Sequence, residues 1–230
     1  LGIDDISEKK SSIESTKYSN LKFYNHDIRD SESISTLFLK YKFNIVIHLA
    51  AQAGVGYSLI NPETYITTNI NGFFNVINSA HINKVDKFIY ASSSSVYGES
   101  SSVPFKETEP TNEPESLYAA TKKSNELIAF SYSKLYNLNT VGLRFFTVYG
   151  PWGRPDMAYY KFANALFKEK EIEIYNNGKM KRDFTYIDDI IEGIKRVIFS
   201  NFTSNKEGIN HNVFNIGNNK PVELMTFIKI

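Results

Sequence analysis

Lys87-Phe88-Ile89-Tyr90-Ala91-Ser92-Ser93 decides the fold: an apolar run without polar alternation that stops abruptly in hydroxyls. A strand with water on one face alternates apolar and polar residues, so an unbroken run marks a strand covered on both faces, as in a parallel sheet. Working outward, Ile45-Val46-Ile47 repeats the pattern inside Asn44 to Ala51. Further strands are predicted over Leu21 to Ile28, Thr140 to Val148, Glu171 to Tyr175 and Asn212 to Ile216. Helical spacing fills the gaps, over Ser31 to Tyr41, Pro62 to Ile82, Ser116 to Tyr136, Ala158 to Lys168 and Asp188 to Phe199. Strands and helices in alternation predict an α/β fold, a doubly wound parallel sheet with helices on both faces.

The 230 residues carry 26 Lys+Arg against 25 Asp+Glu, a net charge of +1. That balance leaves no electrostatic footprint for a nucleic acid or an anionic membrane, and neither is expected as a partner. The absence of Cys excludes disulfides, thiolate nucleophiles and Cys-ligated zinc, and predicts a cytoplasmic setting. No apolar run reaches the roughly 18 residues of a membrane span. His26, His48, His81 and His211 are scattered without ligand spacing, so no metal is expected.

Two groups of residues carry chemistry. Tyr118-Ala119-Ala120-Thr121-Lys122 places a phenol and an ammonium one helical turn apart, where a cation can stabilise a phenolate. Moving a Tyr pKa from about 10 to about 7 requires roughly 4 kcal/mol of differential stabilisation. On its own such a pair is an ordinary solvated helix face. The serines Ser92 to Ser95 follow the predicted strand at its carboxyl end, where open α/β sheets bind ligands. Their bland reading is a turn satisfying its own backbone. Arg144, inside an apolar strand, reads as a buried ion-pair partner rather than a catalyst.

A Ser followed 25 residues later by Tyr-x-x-x-Lys resembles the catalytic set of the extended short-chain dehydrogenase/reductase family, the NAD-dependent sugar-nucleotide epimerases and dehydratases. The resemblance runs in order along the chain through Asp27, residues 48–55, Asn69, the serines, Tyr118 to Lys122, residues 143–151 and residues 182–189. Within it, Ala50-Ala51-Gln52-Ala53-Gly54-Val55 and Arg154-Pro155-Asp156-Met157-Ala158 look most like the UDP-glucuronate 4-epimerases. Carried over position by position, the resemblance implies NAD as cofactor, a UDP-sugar as substrate and Tyr118 as the base at the sugar 4-hydroxyl. Ser93 would hydrogen-bond the same oxygen, and Lys122 would hold the nicotinamide ribose and depress the Tyr118 pKa. Asp4 would hold the adenosine ribose and Asp27 with Ile28 the adenine, while Ala50, Ala51, Gln52, Asn69 and Phe145 would line the cofactor's path. Ser94, Thr147 and Arg182 fall on substrate-side positions, and Arg154 would face the sugar carboxylate, restraining decarboxylation of a 4-keto intermediate. The related 4,6-dehydratases carry an Asp-Glu pair where this chain has Ser94-Ser95.

The resemblance further implies a homodimer paired through helices, and a product destined for cell-surface polysaccharide. Residues 1–150 are expected to form the NAD-binding unit, and 151–230 a substrate-binding region interleaved with the last sheet elements. The phosphate-binding Gly-rich turn is not in the sequence, which opens at Leu1-Gly2-Ile3-Asp4 as if at the end of a strand. Counting back from Asp4 by the usual spacing of that fingerprint, about 30 residues would precede it. The far end, opened by Pro221, reads as a helix cut short. Gly56 stands where relatives usually have Arg, which leaves a neutral UDP-sugar, or a decarboxylase, as alternatives. A nucleotide-sugar-binding fragment without activity is the non-enzymatic alternative.

Overall fold

The computed structural model describes residues 20–99, 103–172, 174–202 and 208–229. Asp4, with the expected strand end around it, lies outside the described residues. Four parallel strands form the main sheet in the order β1 (Ile45–His48), β2 (Lys87–Ser93), β3 (Thr140–Phe145) and β6 (His211–Ile216). Residues along β2 point alternately to two separate cores. Phe88 and Tyr90 join Ile34, Phe38, Phe73 and Ile77 on one face, while Ile89 joins Val141, Leu143, Ile190 and Ile194 on the other. Fully burying each of these large side chains stabilises the fold by about 1.5–3 kcal/mol. Gly142 lies in register with Tyr90, and a Cβ there would stand 2.6 Å from the tyrosine oxygen, so only glycine admits that ring.

The first core is roofed by α1 (Ser31–Tyr41), α4 (Phe73–Ile82) and α5 (Leu117–Tyr136), the second by α7 (Ile187–Phe199). Asp30 caps α1 by accepting from the Ser33 amide, and Ser116 caps α5 by accepting from Ala119. Ahead of α4 come two short helices, α2 (Tyr57–Ile60) and α3 (Pro62–Tyr65), and a π-helical stretch over Ile66–Gly72. A smaller sheet pairs β4 (Thr147–Tyr149) parallel with β5 (Lys181–Tyr186), and β5 antiparallel with β7 (Pro221–Glu223). Between these strands lies α6 (Ala158–Phe167), and α8 (Leu224–Ile228) follows β7.

Three expectations are corrected. Leu21 to Ile28 is not a strand: a strand exists only within a ladder, and none of the described residues pairs with it. Glu171 to Tyr175 is likewise irregular in its described residues, running into a single tight turn at Tyr175–Gly178. Pro221 opens an edge strand opposite Asp183 rather than a helix, which begins three residues later.

Candidate active site

Parallel register brings the carboxyl ends of β2 and β3 level, Ser93 beside Phe145. A cavity of about 680 Å³ opens above them. Its wall includes Ala51, Ser93, Ser94, Tyr118, Lys122, Phe145, Thr147, Arg154 and Arg182, so nine of the predicted site residues meet in one space. Asp27, Ile28, Ala50, Gln52 and Asn69 do not line it. The Asp27 carboxylate is taken up by Arg29, at 2.6 to 3.0 Å, which holds it below the usual carboxylate range. Ile28 lies against Gly72, and Asn75 donates to its carbonyl.

Asn69 is buried in the π-helical stretch, where the widened turn aims it inward. Its oxygen accepts from the Gln52 amide at 2.8 Å, and its nitrogen donates to Gln52 O and to Thr121 Oγ1. Both of its N–H donors are therefore spent on protein, and its physical effect is to clamp the loop after β1. Tyr65, fully buried and not singled out in the sequence, supports the same loop. Its hydroxyl lies 2.9 Å from Ala53 O and 2.6 Å from Gly54 O, and its ring meets that of Tyr118 edge-on.

Tyr118 sits in the first turn of α5, half-buried. Burial pushes its phenol above the usual value, while the neighbouring Ser93 hydroxyl and Arg154 pull it down less strongly. The expected depression by Lys122 does not occur in the protein alone. The Lys122 ammonium lies 6.0 Å from the Tyr118 ring centroid and donates to Ala91 O at 2.9 Å. Burial lowers that ammonium to about 8. With one protein acceptor for three N–H donors, it has two donors to offer at the cavity wall. Polyhydroxylated ribose matches unspent ammonium donors, and the small residues Ala51, Ala53 and Gly54 leave backbone open to a dinucleotide. The residues present therefore fit NAD on this wall.

Beneath the serines lies the network that holds them. Arg144 forks Glu126, Nε to Oε1 at 2.8 Å and Nη2 to Oε2 at 2.9 Å, and donates from Nη1 to the Tyr97 hydroxyl. Ser92 donates to Glu126 at 2.7 Å, and Tyr97 to Asn215 at 2.7 Å. Arg144 is thus the buried ion-pair partner the sequence predicts, and Glu126, one turn after Lys122, is the member the sequence does not reveal.

Among the described residues the ionisable lining of the larger cavity is three cations, Lys122, Arg154 and Arg182, with tyrosines and no carboxylate. Among the described residues no carboxylate lies within salt-bridge distance of Arg182, and burial lowers its guanidinium pKa. A second cavity of about 490 Å³, lined by Phe162, Phe184 and Asp156 among others, adjoins the first through Thr147, Met157, Tyr159 and Arg182. Gly56, in contrast, faces open space.

Residues 2–217 match the model of the NAD dependent epimerase/dehydratase family. The chain is 46% identical to Protein CapI of Staphylococcus aureus, over all of this chain and 74% of that protein. It is 46% identical to UDP-glucuronate 4-epimerase 4 of Arabidopsis thaliana, over 89% of this chain and 49% of that protein. Its fold superposes on UDP-glucuronic acid 4-epimerase from Bacillus cereus, a complex with UDP-glucuronic acid and NAD, with a TM-score of 0.84 and 34% identity, covering 96% of this chain and 68% of that one.

Proposed function

The chain belongs to the NAD-dependent epimerase/dehydratase family, and from that premise we propose that it interconverts UDP-glucuronate and UDP-galacturonate by inversion at C4. The observation that carries this reading is the larger cavity's lining, three cations and no carboxylate around a Ser-Tyr-Lys set. Lys122 and Arg182, which have no carboxylate partner among the described residues, and Arg154, whose fork meets Asp156, suit a ligand bearing a diphosphate and a carboxylate. The missing acid counts against dehydration, because losing a 6-hydroxyl needs a proton donor and Ser94 and Ser95 are poor ones at neutral pH.

In this reading Tyr118 takes the proton of the sugar 4-hydroxyl and returns it after inversion, and Ser93 donates a hydrogen bond to the same oxygen. NAD, when bound, supplies a reversible hydride acceptor at C4. Lys122 holds the cofactor's ribose through its two unspent donors, with Ala51 and Phe145 beside it and the Asn69-clamped loop beneath. Asp27 with Ile28 receives the adenine end. Thr147 and Arg182, shared by the two cavities, bind the sugar and diphosphate, and Arg154 takes the sugar carboxylate. Residues 1–150 form the cofactor-binding unit, from which Ser93, Tyr118 and Thr147 reach the sugar, and 151–230 form a substrate-binding region interleaved with the last sheet elements. Two copies pair through the exposed apolar side chains Ile66 and Phe74, and through Leu127 on α5. A cytoplasmic setting belongs to this reading, supported by the lack of Cys. No helix among the described residues is long and apolar enough to cross a membrane.

The test is incubation with UDP-glucuronate and NAD, following the anomeric protons by NMR. UDP-galacturonate is the expected product. A UDP-pentose would replace the epimerase reading with a decarboxylase, and no product would refute activity for this chain.

A further inference from the structure

Asp156 has no part in the reaction above, yet it touches the site's carboxylate reader. Arg154 Nε donates to Asp156 Oδ1 at 2.9 Å and Nη2 donates to Oδ2, so the two-pronged edge of the guanidinium is already engaged. That side-on edge is one of the two by which a guanidinium pairs a carboxylate bidentately. A Cβ on Gly54, across from the pair, would stand 3.3 Å from Arg154 Nη2 and 3.6 Å from Asp156 Oδ2. The partners face different spaces, Arg154 the larger cavity with Tyr118 and Ser93, Asp156 the smaller one. They also differ in exposure, with 54% of the Asp156 side chain open to solvent against 31% for Arg154. The carboxylate is therefore the partner that water can take over, while the guanidinium stays in the wall.

We propose that Asp156 is a built-in stand-in for the substrate carboxylate, holding the Arg154 fork until a uronate displaces it, and that this competition weakens uronate binding and so limits the preference for uronates over neutral UDP-sugars. The proposal rests on the uronate reading above. The exchange swaps one ion pair for another, with no proton or covalent change, and leaves Asp156 hydrated. A hydroxymethyl group at the same place accepts too weakly to open the pair, so a neutral sugar meets a guanidinium that is already occupied. The apparent affinity for a uronate is then its intrinsic affinity reduced by the fraction of molecules with a free fork.

Calorimetric titration of the chain with UDP-glucuronate and with UDP-glucose, NAD present throughout, tests this in wild type, Asp156→Asn, Asp156→Ser and Arg154→Gln. Both Asp156 variants should bind UDP-glucuronate more tightly, on the order of tenfold if the fork is free in about one molecule in ten, with UDP-glucose unchanged. Weaker or unchanged UDP-glucuronate binding, or an equal shift for both sugars, overturns the proposal. If Arg154→Gln still weakens UDP-glucuronate selectively in that case, the uronate reading stands and the stand-in alone is wrong. Wild type that binds both sugars alike, with Arg154→Gln affecting neither, or that binds neither, overturns both.

Discussion

Glu126→Gln removes one charge from the centre of the network under the serines and should unfold the protein far more readily. Glu126 and Arg144 side chains are each 4% exposed, and the carboxylate accepts from Arg144 twice, from Ser92 and from Lys123. The amide keeps the shape but leaves the Arg144 guanidinium buried without a counter-charge, a loss of about 3–5 kcal/mol. For a chain of this length that lowers the thermal midpoint by roughly 6–20 °C, at 2–4 °C per kcal/mol. Circular dichroism melts give the midpoint, and a double-mutant cycle with Arg144→Met isolates the pair. The double variant should be less destabilised than the sum of the singles, because it leaves no orphaned charge. The pH dependence has a definite sign. Burial pulls the Glu126 pKa up, but the hydrogen bonds and charge of Arg144 outweigh it and hold the group below its ordinary 4.5. Its contribution is therefore present above pH 4.5 and lost as pH falls through the lowered value. A Glu126→Gln midpoint within a degree of wild type at neutral pH would refute the reasoning.

Lys122→Met should stabilise the fold at pH 7, by about 3 kcal/mol, since burial costs the ammonium a shift from 10.5 to about 8. The cost is full below the folded value and vanishes above 10.5, so denaturation curves should show the gain shrinking across that window; a gain that grows with pH would contradict it. Tyr118→Phe should cut turnover by about 10²–10⁴ with an unchanged melt, and near-normal NMR-monitored turnover would remove Tyr118 as the base. Lys87→Met should loosen the end of α7, because the Lys87 ammonium donates to Val197, Ile198 and Ser200 carbonyls at 2.6 to 3.0 Å. Hydrogen exchange should rise there first, with a loss of about 1–3 kcal/mol. Gly54→Ala should cost about 1–3 kcal/mol, since φ is +102° at that position, and should weaken UDP-glucuronate binding by displacing Arg154.

What the sequence made legible was whatever local chemistry determines. Ser31–Tyr41 forms as a helix at the expected residues because Asp30 caps it and Lys42 ends it in a left-handed conformation. The β2 run and the serines behind it mark both the buried sheet and its ligand-binding edge. Leu21 to Ile28 has strand-like residues, but pairing depends on a neighbour that composition cannot report. Lys181–Tyr186 failed in the opposite sense: it is a half-exposed strand of the small sheet, with three charges leading, and no apolar run betrays it. Candidate site residues with their own motif were legible, and the fold brings nine of them to one cavity. Those acting through long-range contacts were not, as with Tyr65 on Gly54, and Glu126 on Ser92 across 34 positions. Asp156 was visible only as a neighbour of Arg154.

Several departures from what packing alone favours line one crevice. Lys122 keeps a buried ammonium with two donors unspent, where a methionine would be more stable. Gly54 takes φ +102° and Trp152 φ +63°, both on loops above the sheet edge, and Trp152 is largely exposed. Arg182 loses hydration without gaining a carboxylate among the described residues. Each of these departures opposes stability, and all four residues line the same cavity. The buried Glu126–Arg144 pair supplies the rigidity that such a wall requires, because it ties β2, α5 and β3 together directly below Ser93. Among the described residues the one deeply buried carboxylate, Glu126, lies under the serines rather than among them, and the acid beside the cations, Asp156, is held by Arg154.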